Sequence, residues 1–559
     1  MTDPAEPSGV TGEAAHVALP IGAATSDPTT RGKLVRSSAL VAIGTALSRV
    51  TGLLRVVALL YALNQTWLTD VYTVANTMPN LVYELLLGGI LSATLVPVFT
   101  ERIKDDDGGT SAVVSTAALV LVVVAVIGIL AAPWIIGVFA LALDNPTSAE
   151  LAAYREVGTT LLRFFMPQVL FYGLITLVTA MLHSRRSFAG PAYAPVLNNL
   201  VVCAMFFSLP TLIGRDIGTP GALVDAVGDT RLLLLLGLGT TAGVVAMALA
   251  MVPSLMRQRV PLRFNPDFRH PAVRTVVGLS GWTVGYVVAN QAALYAVLWL
   301  AQTQPEGHLT AYSVAFIFFQ LPHGLFAVSI MTTFLPELTA AAQAGDDAAF
   351  RERFTLGLRL MALVVLPASL GYLALAHPVV DLLPIGSDAS VAVTADVLGA
   401  FSIGLFGFSV YLFALRGFYA RKNTKTPFFL NVGENSLNVA LALPLVVLAG
   451  VRGLALAYSA AYLVAAAVAV HALARHVGGL GVRAVAGPLM RMALAAAACG
   501  AAAWAVSELV SGAGSLVRVA VGVPTGFVVY AGVLIALRVE EVATARRLIA
   551  GRLRARSQS

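Results

Sequence analysis

The sequence predicts an all-α polytopic membrane protein of about fourteen transmembrane helices, in two pseudo-symmetric six-helix lobes followed by two C-terminal helices. Three observations lead there. Of the 559 residues, 58% are apolar and 12% are charged, with a mean hydropathy of +0.83. Soluble domains are about 45–50% apolar and about 25% charged. Lysine and arginine crowd into alternate loops between the apolar runs. Short segments of the first half recur in the second half at nearly one offset.

Residues 1–33 are polar and rich in Ala, Pro, Ser, Thr and Gly, without the basic start and apolar stretch of a signal peptide, and read as a disordered cytoplasmic tail. A span needs about 20 mostly apolar residues. The first lobe, 34–257, holds six such runs, at 35–62, 69–99, 112–143, 157–182, 191–213 and 232–255. The second, 258–474, holds six more, at 275–301, 308–335, 356–377, 393–419, 427–449 and 453–474. Residues 475–537 carry the last two, at 488–508 and 516–537, and 538–559 form a basic cytoplasmic tail that reads as an interfacial helix. Cys203 and Cys499 lie in apolar runs and read as small core residues.

With the N-terminus inside, 26 lysines and arginines flank the cytoplasmic ends of the spans and 5 flank the outer ends (Arg155, Arg215, Arg231, Arg452, Arg518). This bias predicts an even number of spans with both termini cytoplasmic. The net charge of +7 is therefore mostly topogenic, with bilayer lipids as neighbours and no sign of nucleic-acid binding.

The repeat is weak in each instance. "YTVA" at 72–75 returns as "YSVA" at 312–315, "PVFT" at 97–100 as "PELT" at 336–339, and "RRSFAGP" at 185–191 as "RKNTKTP" at 421–427. An offset of six spans keeps orientation, so the halves would be parallel repeats with a substrate cavity between them.

The chain has no P-loop, HExxH or GxSxG motif, and its histidines lack metal spacing. It reads as a transporter rather than an enzyme or ATP-driven pump, with no cofactor and with sodium or the membrane potential as driving force. The informative residues are polar ones inside spans, which are costly there and mark function. In "SRVTGLLRVVALL" (48–60), Arg49 lies about 18 Å along the first span and Arg55 about 27 Å, pointing about 120° apart. Two readings compete. Arg49 pairs with Asp70 or Glu84 while Arg55 snorkels, or both line a cationic pocket for a phosphate-bearing ligand. The second span carries Asp70, Asn80 and Glu84 beside Pro79 and Gly88-Gly89, and Glu84 reads as a partner for Arg49 or as a proton or cation ligand. Gln320 stands in the eighth span. Asn431, Asn435 and Asn438 share one face of the eleventh, as interhelical hydrogen bonders or as a sodium site. Arg163, Arg359 and Arg416 read as snorkelling residues.

Four segments carry a resemblance: "SRVTGLLRVVALL", "TDVYTVANTMPNLVYELLLGGILSATLVPVF", "RRSFAGPAYAPVLNNL" and "LRGFYARKNTKTP". Through them the chain, over roughly 34–540, resembles the MurJ (MviN) lipid II flippases of the multidrug/oligosaccharidyl-lipid/polysaccharide exporter superfamily. The resemblance implies two six-helix lobes, with helices 13 and 14 forming a groove for the lipid tail. It implies flipping of the undecaprenyl-diphosphate-linked peptidoglycan precursor to the outer leaflet of a bacterial plasma membrane by alternating access, with cell-wall synthesis and division proteins as neighbours. Arg49 and Arg55 match the family's two arginines of the first helix, Asp70 its acid at the start of the second, and Asn80 its "PNL" step. The family's Arg-Arg pair after "NLL" is replaced by Tyr83-Glu84. Its "ADRxxEFP" is replaced by "AFIFFQLP", with Ile317 for the arginine and Gln320 for the acid. The pocket is thus less cationic than the family pattern. The departures leave two alternatives beside the lipid II flippase: a transporter of another polyprenyl-linked glycan or an organic cation, and a transport-dead scaffold for cell-wall enzymes.

Overall fold

In the computed structural model, residues 28–85, 95, 99–100, 108–185, 187–214, 216–258, 262–480 and 482–541 are described. Residues 1–27 of the expected tail, the Gly88-Gly89 step and the basic tail from 542 onward lie outside them, as does the side chain of Tyr83. The described residues are helical with short connections and no strand. Among the described residues, eleven helices are long and apolar enough to cross a membrane, so the protein is multi-pass.

The chain divides into two compact units, residues 1–310 with 384–386, and 311–383 with 387–559. The first contains α1 (Pro28–Leu63), α2 (Trp67–Leu85), α3 (Gly109–Ala140), α4 (Ser148–Phe165), α5 (Gln168–Ser184), α6 (Ala189–Ile213), the single turn α7 (Ala222–Asp225), α8 (Thr230–Arg257) and α9 (Pro271–Gln302). The helix α10 (His308–Pro322) begins in the first unit and continues in the second. The second unit adds α11 (Val328–Gln343), α12 (Asp347–Val380), α13 (Asp388–Ala420), α14 (Lys425–His476), α15 (Val482–Leu509) and α16 (Ser515–Ala536).

Several boundaries differ from the sequence expectation for local reasons. α1 starts at Pro28, inside the expected tail, because proline suits the first turn of a helix, where its missing N–H costs nothing. The fourth span is two helices, since Pro167 offers no N–H across the Phe165–Gln168 junction. α4 opens with a capping box: Thr147 Oγ1 accepts from Glu150 N at 3.2 Å, and Thr147 N donates to Glu150 Oε2 at 2.8 Å. The eighth span is interrupted after Pro322 by a π turn at His323–Ala327. α9 packs against α2 and α3 in the first unit. One of its links is the Tyr295 hydroxyl, which donates to Thr77 O at 3.2 Å.

α14 runs 52 residues, about 78 Å if straight, more than twice the hydrocarbon thickness of a bilayer. It is not straight. Ala449 and Gly450 leave helical geometry, with φ +57° at the glycine. Gly453 then lies against the Leu445 carbonyl, and Tyr462 comes within hydrogen-bonding reach of Glu434, residues about 42 Å apart on a continuous helix. The chain therefore doubles back, and the spans at 427–449 and 453–474 are an antiparallel pair. α15 and α16 pack on α12 through Ala362, Met492, Ala496, Cys499 and Tyr530, and the Tyr530 hydroxyl donates to Leu363 O at 2.7 Å. Arg359 does not snorkel as expected, because Glu541 lies 3.3 Å away and pairs with it.

Many large apolar side chains remain exposed, among them Trp134, Leu141, Val447 and Leu509. In water this would be a liability. On helices of this length it is the lipid-facing surface.

Candidate functional site

Helix α1 is anchored to α6 around Arg49. Asn199 Nδ2 donates to Ser48 O at 3.2 Å and to Thr51 Oγ1 at 3.1 Å, and Gly52 leaves room for that amide. Thr51 returns its own proton to Leu47 O at 2.8 Å. These bonds set the rotation of α1, so the azimuth of both arginines is fixed by packing. Arg49 and Arg55 are each half-buried.

Arg55 does not snorkel to the outer surface. Its guanidinium meets the hydroxyl of Tyr72, with Tyr172 and Cys203 close by. The direction of the bonds follows from counting protons. Thr240 Oγ1 gives its hydrogen to Leu236 O at 2.7 Å, so Tyr72 must donate to Thr240 across their 2.8 Å contact. Tyr72 is then left as acceptor for Arg55. The ring of Tyr72 is held edge-on between Phe165 and Phe206, with centroids at 5.5 and 5.6 Å. The result is a cation fixed from behind by a hydroxyl chain inside the first unit, with part of its surface left open.

Asp70 departs from the sequence expectation. It is 1% exposed and caps a helix. Asp70 Oδ1 accepts from Thr310 N at 2.9 Å and from Thr310 Oγ1 at 2.6 Å, and Oδ2 accepts from Gly307 N at 2.8 Å. These are the orphan donors at the start of α10, where a carboxylate also complements the helix dipole. Glu306 returns the arrangement, its Oε1 accepting from Trp67 N at 2.9 Å, the first N–H of α2. Gly307 has φ +80°, and a Cβ there would strike the Gln65 carbonyl. Asp70 is thus a structural acid rather than the expected substrate ligand. Burial raises the Glu306 carboxyl above the ordinary carboxylate range, outweighing the Trp67 bond that lowers it.

The other candidates are dispersed. Asn80 is half-buried and donates to Asn76 O, one turn back on its own helix, at 3.2 Å. Glu84 is exposed, about 21 Å along α2 from Asp70. Gln320 is half-buried and Ile317 exposed, both on the part of α10 in the second unit. On α14 the buried positions are Asn431, Glu434 and Asn438. Asn435 is rotated off that face and donates to Asn431 O at 3.0 Å. The expected trio of amides is therefore two amides and an acid. Glu434, Tyr72, Thr310 and Glu306 were missed from sequence. A lone acid within a 20-residue apolar run was the available signal for Glu434. Thr310 stands two residues before the repeated "YSVA", as Asp70 stands two before "YTVA".

The chain matches the family model described as lipid II flippase MurJ over residues 59–524. That range begins just after Arg55, so neither α1 arginine falls within it. The lipid II flippase MurJ of Burkholderia cenocepacia is 29% identical over 413 residues, 72% of this chain and 76% of that protein. The probable lipid II flippase MurJ of Bdellovibrio bacteriovorus is 26% identical over 92% of this chain and 97% of its own length. Among solved structures, a lipid II flippase MurJ in an inward closed conformation superposes with a TM-score of 0.71 at 20% identity, covering 89% of this chain and 99% of that one. An inward-facing multidrug resistance MATE transporter of the MOP superfamily gives 0.63 at 11% identity, covering 77% and 95%. With well over half of its length inside the family model, the chain belongs to the lipid II flippase MurJ family.

Proposed function

We propose that this protein moves lipid II, the polyprenyl-diphosphate-linked peptidoglycan precursor, from the inner to the outer leaflet of a bacterial plasma membrane. The observation that carries the proposal is the family match over 59–524, together with relatives named lipid II flippase that span most of the chain. Alternating access is the mode of transport, with both termini cytoplasmic, as the 26-to-5 distribution of lysine and arginine supports.

In this proposal Arg49 and Arg55 bind the diphosphate. A guanidinium presents a planar fork of donors that matches phosphate oxygens. The Asn199–Ser48–Thr51 bonds and the Tyr72–Thr240 chain hold the two arginines in place before ligand arrives, which lowers the ordering cost of binding. Because Tyr83 and Ile317 stand where the family pattern has arginines, Arg49 and Arg55 supply a larger share of the positive charge.

The test is leaflet-resolved translocation of fluorescent lipid II in proteoliposomes. The wild type moves the lipid, and Arg49→Ala loses the activity at equal reconstituted protein. A wild type that leaves lipid II in its original leaflet under an imposed membrane potential refutes the function. An Arg49→Ala protein with the wild-type rate refutes the role of the arginine alone.

A further inference from the structure

We propose that Glu434 is a proton-binding site in the second unit, taking up and releasing one proton in the membrane interior. Glu434 is 3% exposed, and both of its carboxylate oxygens are buried without a well-formed hydrogen bond. One turn on, Asn438 is 5% exposed and its Oδ1 is likewise buried without a donor. Residues at i and i+4 of a helix lie side by side on one face, and Asn431 flanks them one turn before Glu434.

Buried acceptors without a well-placed donor are costly in an apolar interior: each unmet buried polar group loses about 1–3 kcal/mol, and an unpaired carboxylate more. One proton resolves the conflict. A protonated carboxyl becomes a donor with acceptor capacity to spare, so the same hydrogen that neutralises Glu434 is available to the Asn438 oxygen one turn away. A sodium ion fits less well. It requires several oxygens at one point, whereas Asn431 and Asn438 are separated by about 10 Å along the axis. Around the carboxyl stand Tyr462, its polar neighbour, and Tyr458 from the returning half of α14. Tyr411 of α13 touches Tyr462, and His323 of the π turn reaches the cluster through the ring of Phe408. His323 Nδ1 donates to Ser409 Oγ at 2.9 Å, because the Ser409 hydrogen is given to Leu405 O. The tyrosine hydroxyls around Glu434 offer groups through which a proton can pass, whereas His323 is separated from them by the Phe408 ring.

The site stands independently of the flippase proposal; only its coupling to transport rests on that proposal. The decisive experiment is infrared difference spectroscopy of the full-length protein in lipid, wild type minus Glu434→Gln, from acid to alkaline pH and with sodium or choline as the salt cation. The expected result is a protonated-carboxyl C=O band that belongs to Glu434 and disappears reversibly as pH rises, alike in both salts. No such band, or a band unchanged across the pH range, overturns the proposal. A band removed by sodium at constant pH overturns it in favour of a sodium site. In proteoliposomes, Glu434→Gln abolishes the pH dependence of lipid II flipping, and retention of wild-type dependence refutes the coupling. A wild type that shows the band and flips nothing refutes the proposed function and leaves the proton site standing.

Discussion

Asp70→Ala separates a structural acid from a ligand-binding one. The substitution removes three bonds and leaves the buried N–H groups of Gly307 and Thr310 facing a void. An orphaned buried donor costs about 1–3 kcal/mol, and the hydroxyl of Thr310 is free to rotate to another acceptor, so the loss is about 2–4 kcal/mol. At tenfold per 1.4 kcal/mol, the opening equilibrium at the start of α10 rises by roughly 10²-fold. Amide hydrogen exchange over residues 305–312 reads this directly, since exchange follows local opening. Asp70→Asn retains one acceptor for Thr310 and turns a donor toward Gly307, so its exchange falls between the two. Wild-type exchange in Asp70→Ala, accompanied by loss of lipid II flipping, would refute the capping argument and return Asp70 to the ligand.

Tyr72→Phe removes the hydroxyl between Arg55 and Thr240; with bonds to charged groups worth about 1.5–3 kcal/mol, lipid II flipping falls roughly 10-fold or more, and an unchanged rate shows that Arg55 is held otherwise. Gly453→Ala drives a Cβ into the Leu445 backbone, which has nowhere to move, and costs about 2 kcal/mol or more, whereas Gly433→Ala meets nothing within 4 Å and is neutral or stabilising. The buried free thiols of Cys203 and Cys499 report both variants through the temperature at which a thiol dye reacts. Because the Glu306 carboxyl is raised in the folded protein, folding retains a proton there that the unfolded chain releases, so stability is highest in mild acid and falls as pH rises through and above the ordinary carboxylate range. Glu306→Gln keeps the acceptor for Trp67 and flattens that part of the pH–stability profile; an unchanged slope assigns it to another group.

The apolar runs were readable because a bilayer imposes a length and a composition, and each expected range coincides at least in part with a helix. The turn at Ala449–Gly450 was also readable, since the run 425–476 is too long to cross once. Interior partnerships were not. Composition cannot distinguish an acid that waits for a ligand from one consumed by a helix start 237 residues away, and Asp70 is the latter. Nor does spacing alone rank the α14 face: Asn435 and Glu434 both lie within about 60° of Asn431, and only the packing buries the acid. Arg55 was placed at the outer boundary by counting residues, but the outcome turned on Tyr72 and Thr240, which no local pattern ties to it.

The reversal within α14 bears on how the protein is made. Two non-helical residues leave no hydrophilic loop to be passed across the membrane, and Arg452, 3.7 Å from Asp396, is the first charge after the turn. The biosynthetic insertion machinery therefore meets residues 427–474 as two apolar helices joined by a two-residue turn. Orientation of the pair is then dictated by its open end, where Arg421, Lys422 and Lys425 precede it and Arg475 follows. A charge moved from that end to the turn would misinsert two helices at once, and with them the buried acid that lies between them.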